Sequence, residues 1–219
     1  GAGTGTIDVV AAGGIGMADG AESLTVGGNI RYAAVGGSVV LGLLDGRTAA
    51  DRAAGNVASQ ASWGLVSVTA SGGGITDAAV AAAAVDVYAS GARLRALTKI
   101  GEFAAADGVD DAIETEVATL TAVTTGIGAG NTGSVRIVES TGVTVGSVGS
   151  VGINRVGSDG TTAAWPGPAE SAQSDVDSAA GGTVWIETLS GTLTVTDGAD
   201  ADGVGVSSLG GGGVRLSGG

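Results

Sequence analysis

Three carboxylates lie close together in a glycine-rich segment late in the sequence. The segment reads Asp197-Gly-Ala-Asp-Ala-Asp-Gly203, so that Asp197, Asp200 and Asp202 share one short turn. Calcium prefers several oxygen ligands on a flexible loop, and these three side chains are therefore candidate Ca²⁺ ligands. The spacing matches an EF-hand loop only in part, because no Glu closes it at the twelfth position. A solvated acidic turn that keeps the chain soluble is the alternative.

A second set of chemistry-bearing residues stands at one place in three copies of a repeated motif. The copies read Gly133-Ser-Val-Arg-Ile137, Gly182-Thr-Val-Trp-Ile186 and Gly212-Gly-Val-Arg-Leu216. If these copies stack, Arg136, Trp185 and Arg215 form a ladder on one outer face. Each exposed guanidinium–indole contact would contribute about 0.5–1 kcal/mol. The ladder is predicted either to support packing within the chain or to contact a neighbouring chain.

The residue types that carry most enzyme chemistry are missing from this sequence. It contains no His, no Cys, three Trp, two Tyr and one Phe. This composition excludes a Ser-His-Asp triad, a cysteine nucleophile and a zinc site built from Cys or His. Paired carboxylates can cleave glycosidic bonds, but aromatic and basic residues that usually line such clefts are scarce here. We therefore predict that the chain is not an enzyme and has no cofactor, calcium apart.

The charge balance excludes two classes of partner. Nine Lys and Arg residues stand against 22 Asp and Glu residues, which gives a net charge of −13. Such a chain repels nucleic acid and anionic lipid, since phosphate binding needs cationic side chains. The longest uninterrupted apolar stretch, Ala78 to Val85, is too short to cross a bilayer. We expect neither nucleic-acid binding nor membrane insertion.

The ladder motif recurs earlier in the chain as Gly, a small residue and an apolar–variable–apolar triplet. Further copies begin at Gly5, Gly37 and Gly64. Alternation puts the two apolar residues of each copy on one face of a strand and the middle residue on the other. Short strands bounded by glycine corners cannot bury a face alone, but they can when stacked on like strands. The sequence therefore predicts an all-β fold, a parallel β-helix or solenoid in a single domain over residues 1–219.

The irregular spacing of the copies predicts loop insertions. The longest gap separates Gly64 from Gly133 and indicates a missed copy or an insertion. Residues 43–62 and 154–181 are interpreted as insertions that leave the coil. The Ala-rich segment 77–106 and the segment Ile113–Leu120 fit either a helix or strands, and alternation such as Val85-Asp-Val-Tyr88 favours strands. With about 20–25 residues in each coil the chain would hold about 8–10 coils. A β-sandwich is the main alternative fold.

The order of these strands and glycines resembles a known family. Leu94–Gly101, Asp111–Ala122, Gly133–Val145 and Gly182–Val195 look like the repeats of very large filamentous-haemagglutinin-like surface proteins of bacteria. The resemblance covers residues 64–219 and rests on a strand pattern without a catalytic signature. It implies a right-handed β-helical shaft of an exported adhesin, matrix or filament protein, and hence an extracellular location at the bacterial cell surface.

The pattern and the resemblance together predict a structural role. A β-helix has open ends with unpaired backbone groups, which natural proteins normally cover. We therefore expect a shaft or filament segment that stacks end to end with copies of itself or with flanking repeats. The alternative is a carbohydrate-binding or carbohydrate-cleaving β-helix with glycans or other cell-surface components as partners. Trp165 and Trp185 are the residues that would test this alternative.

Overall fold

The computed structural model describes residues 5–55, 60–78, 84–103, 111–126, 133–164, 170–179 and 181–219. No helix among these residues is long and apolar enough to span a membrane. The described elements are, in chain order, β1 (Ile7–Ala11), β2 (Ile15–Gly16), β3 (Glu22–Leu24), β4 (Ile30–Ala34), β5 (Val39–Leu41), β6 (Leu43–Asp45), α1 (Ala49–Ala54), η1, a 3₁₀ turn (Gln60–Ser62), β7 (Leu65–Ala70), β8 (Ile75–Asp77), β9 (Val87–Ala96), β10 (Ile113–Thr124), β11 (Val135–Glu139), β12 (Val143–Val145), β13 (Ser147–Val148), β14 (Asn154–Val156), β15 (Thr162–Ala164), β16 (Gln173–Ser174), β17 (Val176–Ser178), β18 (Val184–Thr188), β19 (Leu193–Val195), β20 (Val206–Ser208) and β21 (Val214–Ser217).

Most of these strands belong to one large, all-parallel sheet. Its main path runs β1-β4-β7-β9-β10-β11-β18-β21, and β3, β6, β12, β17, β19 and β20 pair onto it. A second parallel ladder contains β2, β5 and β8, whereas β13–β16 and β14–β15 are antiparallel pairs. The prediction of a mostly β chain with parallel strands is therefore confirmed. This architecture, with one short helix, is consistent with a β-solenoid.

Register partners follow one another through successive strands as two apolar columns. Column one contains Ile7, Ile30, Val66, Ala92, Leu120, Val145 and Val195. Column two contains Ile15, Val39, Ile75, Ile100, Val135, Val184 and Val214. The described residues therefore stack as seven levels, here called rungs, rather than the predicted eight to ten. Fewer rungs form because loops lengthen some coils, as between Val145 and Val195.

The core is built from these columns. The five inner members of each column are completely buried, and all ten belong to one hydrophobic cluster. Small and β-branched side chains suit this interior because their Cβ branches pack well on a pleated surface. Burial of each Val, Ile or Leu contributes about 1.5–3 kcal/mol relative to exposure. Stacking on neighbouring rungs therefore supplies the stability that no single short strand could provide.

The six motif copies do not occupy equivalent positions. The copies that begin at Gly5 and Gly64 form β1 and β7 in column one, whereas the other four enter column two through β5, β11, β18 and β21. Both columns need the same alternation after a corner, so the motif alone does not distinguish them.

The gap after Gly64 contains the long strands β9 and β10. The preference for strands is thus correct for 87–96 and 113–124, while 79–83 and 104–110 lie outside the described residues.

The first excursion from the sheet begins later than predicted. β6 lies within the predicted insertion 43–62 but pairs with β3 and β9 in the large sheet. The excursion carries α1, whose first turn is capped because the Thr48 hydroxyl accepts a hydrogen bond from Asp51 N at 3.2 Å. Two arginines of this segment, Arg47 and Arg52, form ion pairs with the fully buried Asp45. Their N–O distances are 2.8 and 2.7 Å. Burial raises the pKa of Asp45, but these hydrogen bonds outweigh it and hold the pKa below its ordinary value.

The second excursion also differs from its predicted range, 154–181. β17 lies inside that range and pairs with β10 and β20 in the large sheet. Residues 149–164, here called the hairpin arm, carry the antiparallel pair β14–β15. The arm returns to the first two rungs: the Thr6 hydroxyl donates to Asn154 O at 3.0 Å, and Asn29 Nδ2 donates to Gly152 O at 2.8 Å. Arg155 also forms an ion pair with Asp8.

Candidate functional site

The three residues of the predicted outer ladder occupy one register position in three consecutive strands. β11 pairs with β18, and β18 pairs with β21. Arg136 therefore stands opposite Trp185, and Trp185 opposite Arg215. The structure brings all three predicted residues together.

The indole ring of Trp185 lies between two guanidinium groups. Arg136 Cζ is 3.9 Å and Arg215 Cζ is 4.0 Å from the ring centroid. Phe103 adds a stacked contact with a centroid distance of 6.2 Å. Arg136 Nη2 also donates to Glu187 Oε2 at 3.2 Å. The ring is thus held by contacts from both neighbouring strands, as cation–π attraction favours.

The two arginines of the ladder differ in their surroundings. Arg136 is buried on an inner strand, whereas Arg215 is exposed on β21. Among the described residues, no strand pairs with the outer edge of β21. The ladder therefore ends at solvent with a guanidinium group, which can accept an aromatic ring or a carboxylate from outside.

The structure brings together only two of the three predicted calcium ligands. Carboxylate oxygens of Asp200 and Asp202 lie within 4.8 Å of one another and of Asp175. Asp197 instead caps its own turn, because its Oδ1 accepts a hydrogen bond from Gly203 N at 2.6 Å. Sequence reasoning missed Asp175, which precedes β17 and is distant along the chain from the acidic turn. Only the pairing of β17 with β20 could have indicated this contact.

A second acidic group contains Asp77, Asp86 and Glu114, with oxygens within 4.8 Å of one another. Asp77 and Asp86 also line a cavity of about 160 Å³ together with Asp19 and Glu22. Asp86 Oδ2 accepts a hydrogen bond from Glu114 N at 3.0 Å. Burial and the nearby charge of Asp77 raise the pKa of Asp86 well above its ordinary value. This arrangement favours a protonated, hydrogen-bonded group over three separate anions.

Apolar side chains become exposed at both ends of the stack. On the last rung, Val195 is 42% and Val214 is 47% exposed, although their partners Val145 and Val184 are fully buried. At the first rung, Ile7 and Ile15 are only partly buried, and Val10 is exposed. Each end thus presents the same two apolar columns together with free strand edges, as seen within the described residues. Such edges are templates for further strand pairing.

No protein-family model, no curated protein and no solved structure matches this chain. The resemblance to filamentous-haemagglutinin-like repeats therefore stays a prediction. The functional argument rests on the two end surfaces, the ladder and the acidic groups.

Proposed function

We propose that this chain is a structural shaft or filament segment of an extracellular bacterial surface protein. In this proposal it is a right-handed parallel β-helix that stacks end to end. The observation that carries the proposal is the exposure of Val195 and Val214 on the last rung, together with the incomplete burial of Ile7 and Ile15 on the first. A free-standing domain would be expected to cover these edges with a polar cap, a loop or a helix.

The two ends have matching chemistry. Head-to-tail stacking would place Val195 of one segment opposite Ile7 of the next, and Val214 opposite Ile15, because these residues end the same columns. The free backbone groups at the edges would continue the parallel ladder. A head-to-tail contact that does not close on itself produces a filament. The next segment is either a second copy of this chain or a flanking repeat of the same kind.

The ladder is compatible with stacking on a flanking repeat, but in a stack of identical copies Arg215 would face Gly16. Arg215 is exposed on the outermost strand, and its guanidinium group contacts Trp185 of the preceding strand. A flanking repeat with an aromatic or acidic residue at this register position would repeat the contact that Arg136 and Trp185 make within the chain. The ladder would then serve both packing and the interface between segments.

The carbohydrate alternative has less support from the described residues. Trp165 lies outside them. Trp185 has guanidinium groups against its ring from both neighbouring strands, and these occupy the surface on which a sugar would stack.

Negative-stain electron microscopy across a range of protein concentrations tests the proposal. Stacking of copies predicts thin fibres at high concentration, with an axial repeat of roughly 35 Å for seven rungs at about 4.8 Å each. Val195→Asp should abolish fibres, because it places a charge in the apolar column at the interface. Val156→Asp is the control, since Val156 is also an exposed valine but lies on the hairpin arm.

The outcomes separate the two kinds of stacking partner. Fibres that Val195→Asp removes and Val156→Asp preserves would support stacking of copies. Single particles at every concentration would contradict stacking of copies and leave only flanking repeats as the neighbours. Fibres that survive Val195→Asp would contradict the end-to-end interface itself.

A further inference from the structure

Three carboxylates from different parts of the chain meet beside the last rungs. Asp175 directly precedes β17, while Asp200 and Asp202 lie in the turn between β19 and β20. β17 and β20 are paired neighbours, and this pairing places the turn over Asp175. One oxygen of each residue lies within 4.8 Å of the others. Oxygen atoms at this separation can share a single cation of the size of calcium.

Asp175 provides a separate indication that a ligand belongs here. Its side chain is only 2% exposed, and its Oδ1 accepts no hydrogen bond from any described residue. A buried carboxylate oxygen without a hydrogen-bond donor is costly, and a cation can compensate this cost. No ion pair among the described residues includes Asp175, Asp200 or Asp202. Burial, with the nearby charges of Asp200 and Asp177, raises the pKa of Asp175 to about 7.

Hydrogen bonds elsewhere in the turn leave the cluster available for a ligand. Asp197 Oδ1 is bound by Gly203 N at 2.6 Å, and Asp202 Oδ1 by Val204 N at 2.8 Å. These bonds fix the conformation of the turn. The second carboxylate oxygen of Asp202 takes no part in them. Gly198 lies against the cluster, since a Cβ at this position would be 3.0 Å from Asp175 Oδ1. The backbone thus lies close against the buried carboxylate, and glycine suits this position because φ is +69° and a Cβ would be 2.8 Å from Ser174 Cβ.

We propose that Asp175, Asp200 and Asp202 bind one Ca²⁺ ion. The donors are all hard oxygen atoms, which suit calcium, and the sequence has no His or Cys to recruit a softer metal. Two of the ligands lie on an exposed turn, so water molecules can complete the six to eight ligands that calcium takes. The site joins the last two rungs, because one ligand precedes β17 and the other two precede β20. This inference does not depend on the proposed shaft function.

The other acidic group does not carry the same inference. Asp86 already accepts a backbone hydrogen bond, and Asp77 and Glu114 also have partners. All three residues of this group therefore already have partners. The group provides the control for the location of the ion.

Calorimetric titration of the chelator-treated chain with CaCl₂ tests the site, with MgCl₂ as the comparison ion. We expect one Ca²⁺ to bind and to raise the melting temperature. Asp200→Asn should weaken binding by at least about tenfold, since affinity depends on the number of charged ligands. Asp200 is exposed, so this variant is expected to fold. Asp175→Asn should also lose the calcium-dependent rise while melting higher than the parent without calcium.

Matched variants decide where the ion binds. Asp86→Asn changes the other acidic group, and Asp159→Asn changes an exposed aspartate on the hairpin arm. Both should bind calcium as the parent does. Loss of binding in Asp86→Asn with retention in Asp200→Asn would overturn the assignment. So would a titration of the parent without heat of binding or a melting shift at millimolar CaCl₂.

Discussion

The inner and outer rungs place the same residue types in the same columns but in opposite environments. Val145 and Val195 are register partners in column one, and Val184 and Val214 are partners in column two. The inner member of each pair is fully buried, and the outer member is more than two-fifths exposed. The sequence pattern therefore does not determine burial. The presence of a neighbouring rung on both sides does.

The same comparison holds for charged side chains. The inner rungs enclose Glu139, which is completely buried opposite Thr115 and Thr188. The outermost strand, β21, has no buried residue. The inner rung can hide this carboxylate because strand β10 and the turn after β11 both supply hydrogen-bond donors, namely Thr115 Oγ1, Val117 N and Thr141 N.

The largest expected effect is the pH dependence caused by Glu139. Its carboxylate accepts hydrogen bonds from Thr115 Oγ1 at 2.7 Å and Thr141 Oγ1 at 3.0 Å, but burial dominates and raises its pKa to about 7. The folded chain therefore keeps a proton that the unfolded chain releases near its ordinary pKa of 4.5. The resulting stabilisation is complete at low pH and is lost as the pH rises through 7. It amounts to at most about 3 kcal/mol.

Glu139→Gln should therefore flatten the fall in unfolding free energy between pH 5 and pH 8. Denaturant titrations in metal-free buffer measure this change. Glu22→Gln, on the exposed strand β3, should keep the parental slope. An equal slope in parent and Glu139→Gln would show that Glu139 does not bind the proton.

A matched pair of Val→Ala substitutions tests the comparison of inner and outer rungs directly. Val145→Ala should cost about 2 kcal/mol of unfolding free energy, because it removes buried methyl groups and leaves a cavity. Val195→Ala should cost less than about 0.5 kcal/mol, because its side chain is already partly in water. Both variants should be measured at concentrations at which the chain is monomeric. Equal losses would mean that the last rung is covered in solution.

The ladder allows the same comparison between a buried and an exposed position, with a smaller expected effect on stability. Arg136→Gln and Arg215→Gln each remove one guanidinium from the same ring, one buried and one exposed. Loss of the buried contact should lower the free energy of unfolding by about 2 kcal/mol, because Arg136 also binds Glu187. Loss of the exposed contact should lower the free energy of unfolding by about 0.5–1 kcal/mol. Arg95→Gln, an exposed position on β9, serves as the control in the same thermal unfolding experiment.

Alternation and glycine corners were sufficient to predict strands, parallel stacking and the ladder. Arg136, Trp185 and Arg215 stand at one place in three copies, and β-strand geometry fixes which side each middle residue faces. The mostly β, parallel architecture followed for the same local reason. The assignment of copies to columns did not, since the motif beginning at Gly37 has the same pattern as the one beginning at Gly5 but pairs in a different ladder.

The acidic cluster shows why sites are harder to predict than strands. Asp197 and Asp200 are close in sequence, yet a turn hydrogen bond uses Asp197 and removes it from the cluster. Asp175 replaces it through the pairing of two strands that are far apart in the chain. Local spacing predicts local contacts only. Contacts between rungs depend on loop lengths, which the motif does not specify.

The hairpin arm affects both the unfolding and the folding of the stack of rungs. In a linear array each unit contacts only its neighbours, and melting can begin at either end and spread. Here the bond between Thr6 and Asn154 spans 148 residues and ties the first rung to a segment inserted near the sixth. Fraying of the first rung must therefore also release the arm, which makes unfolding more cooperative. During synthesis, the first rung stays incomplete until Arg155 has emerged and can reach Asp8.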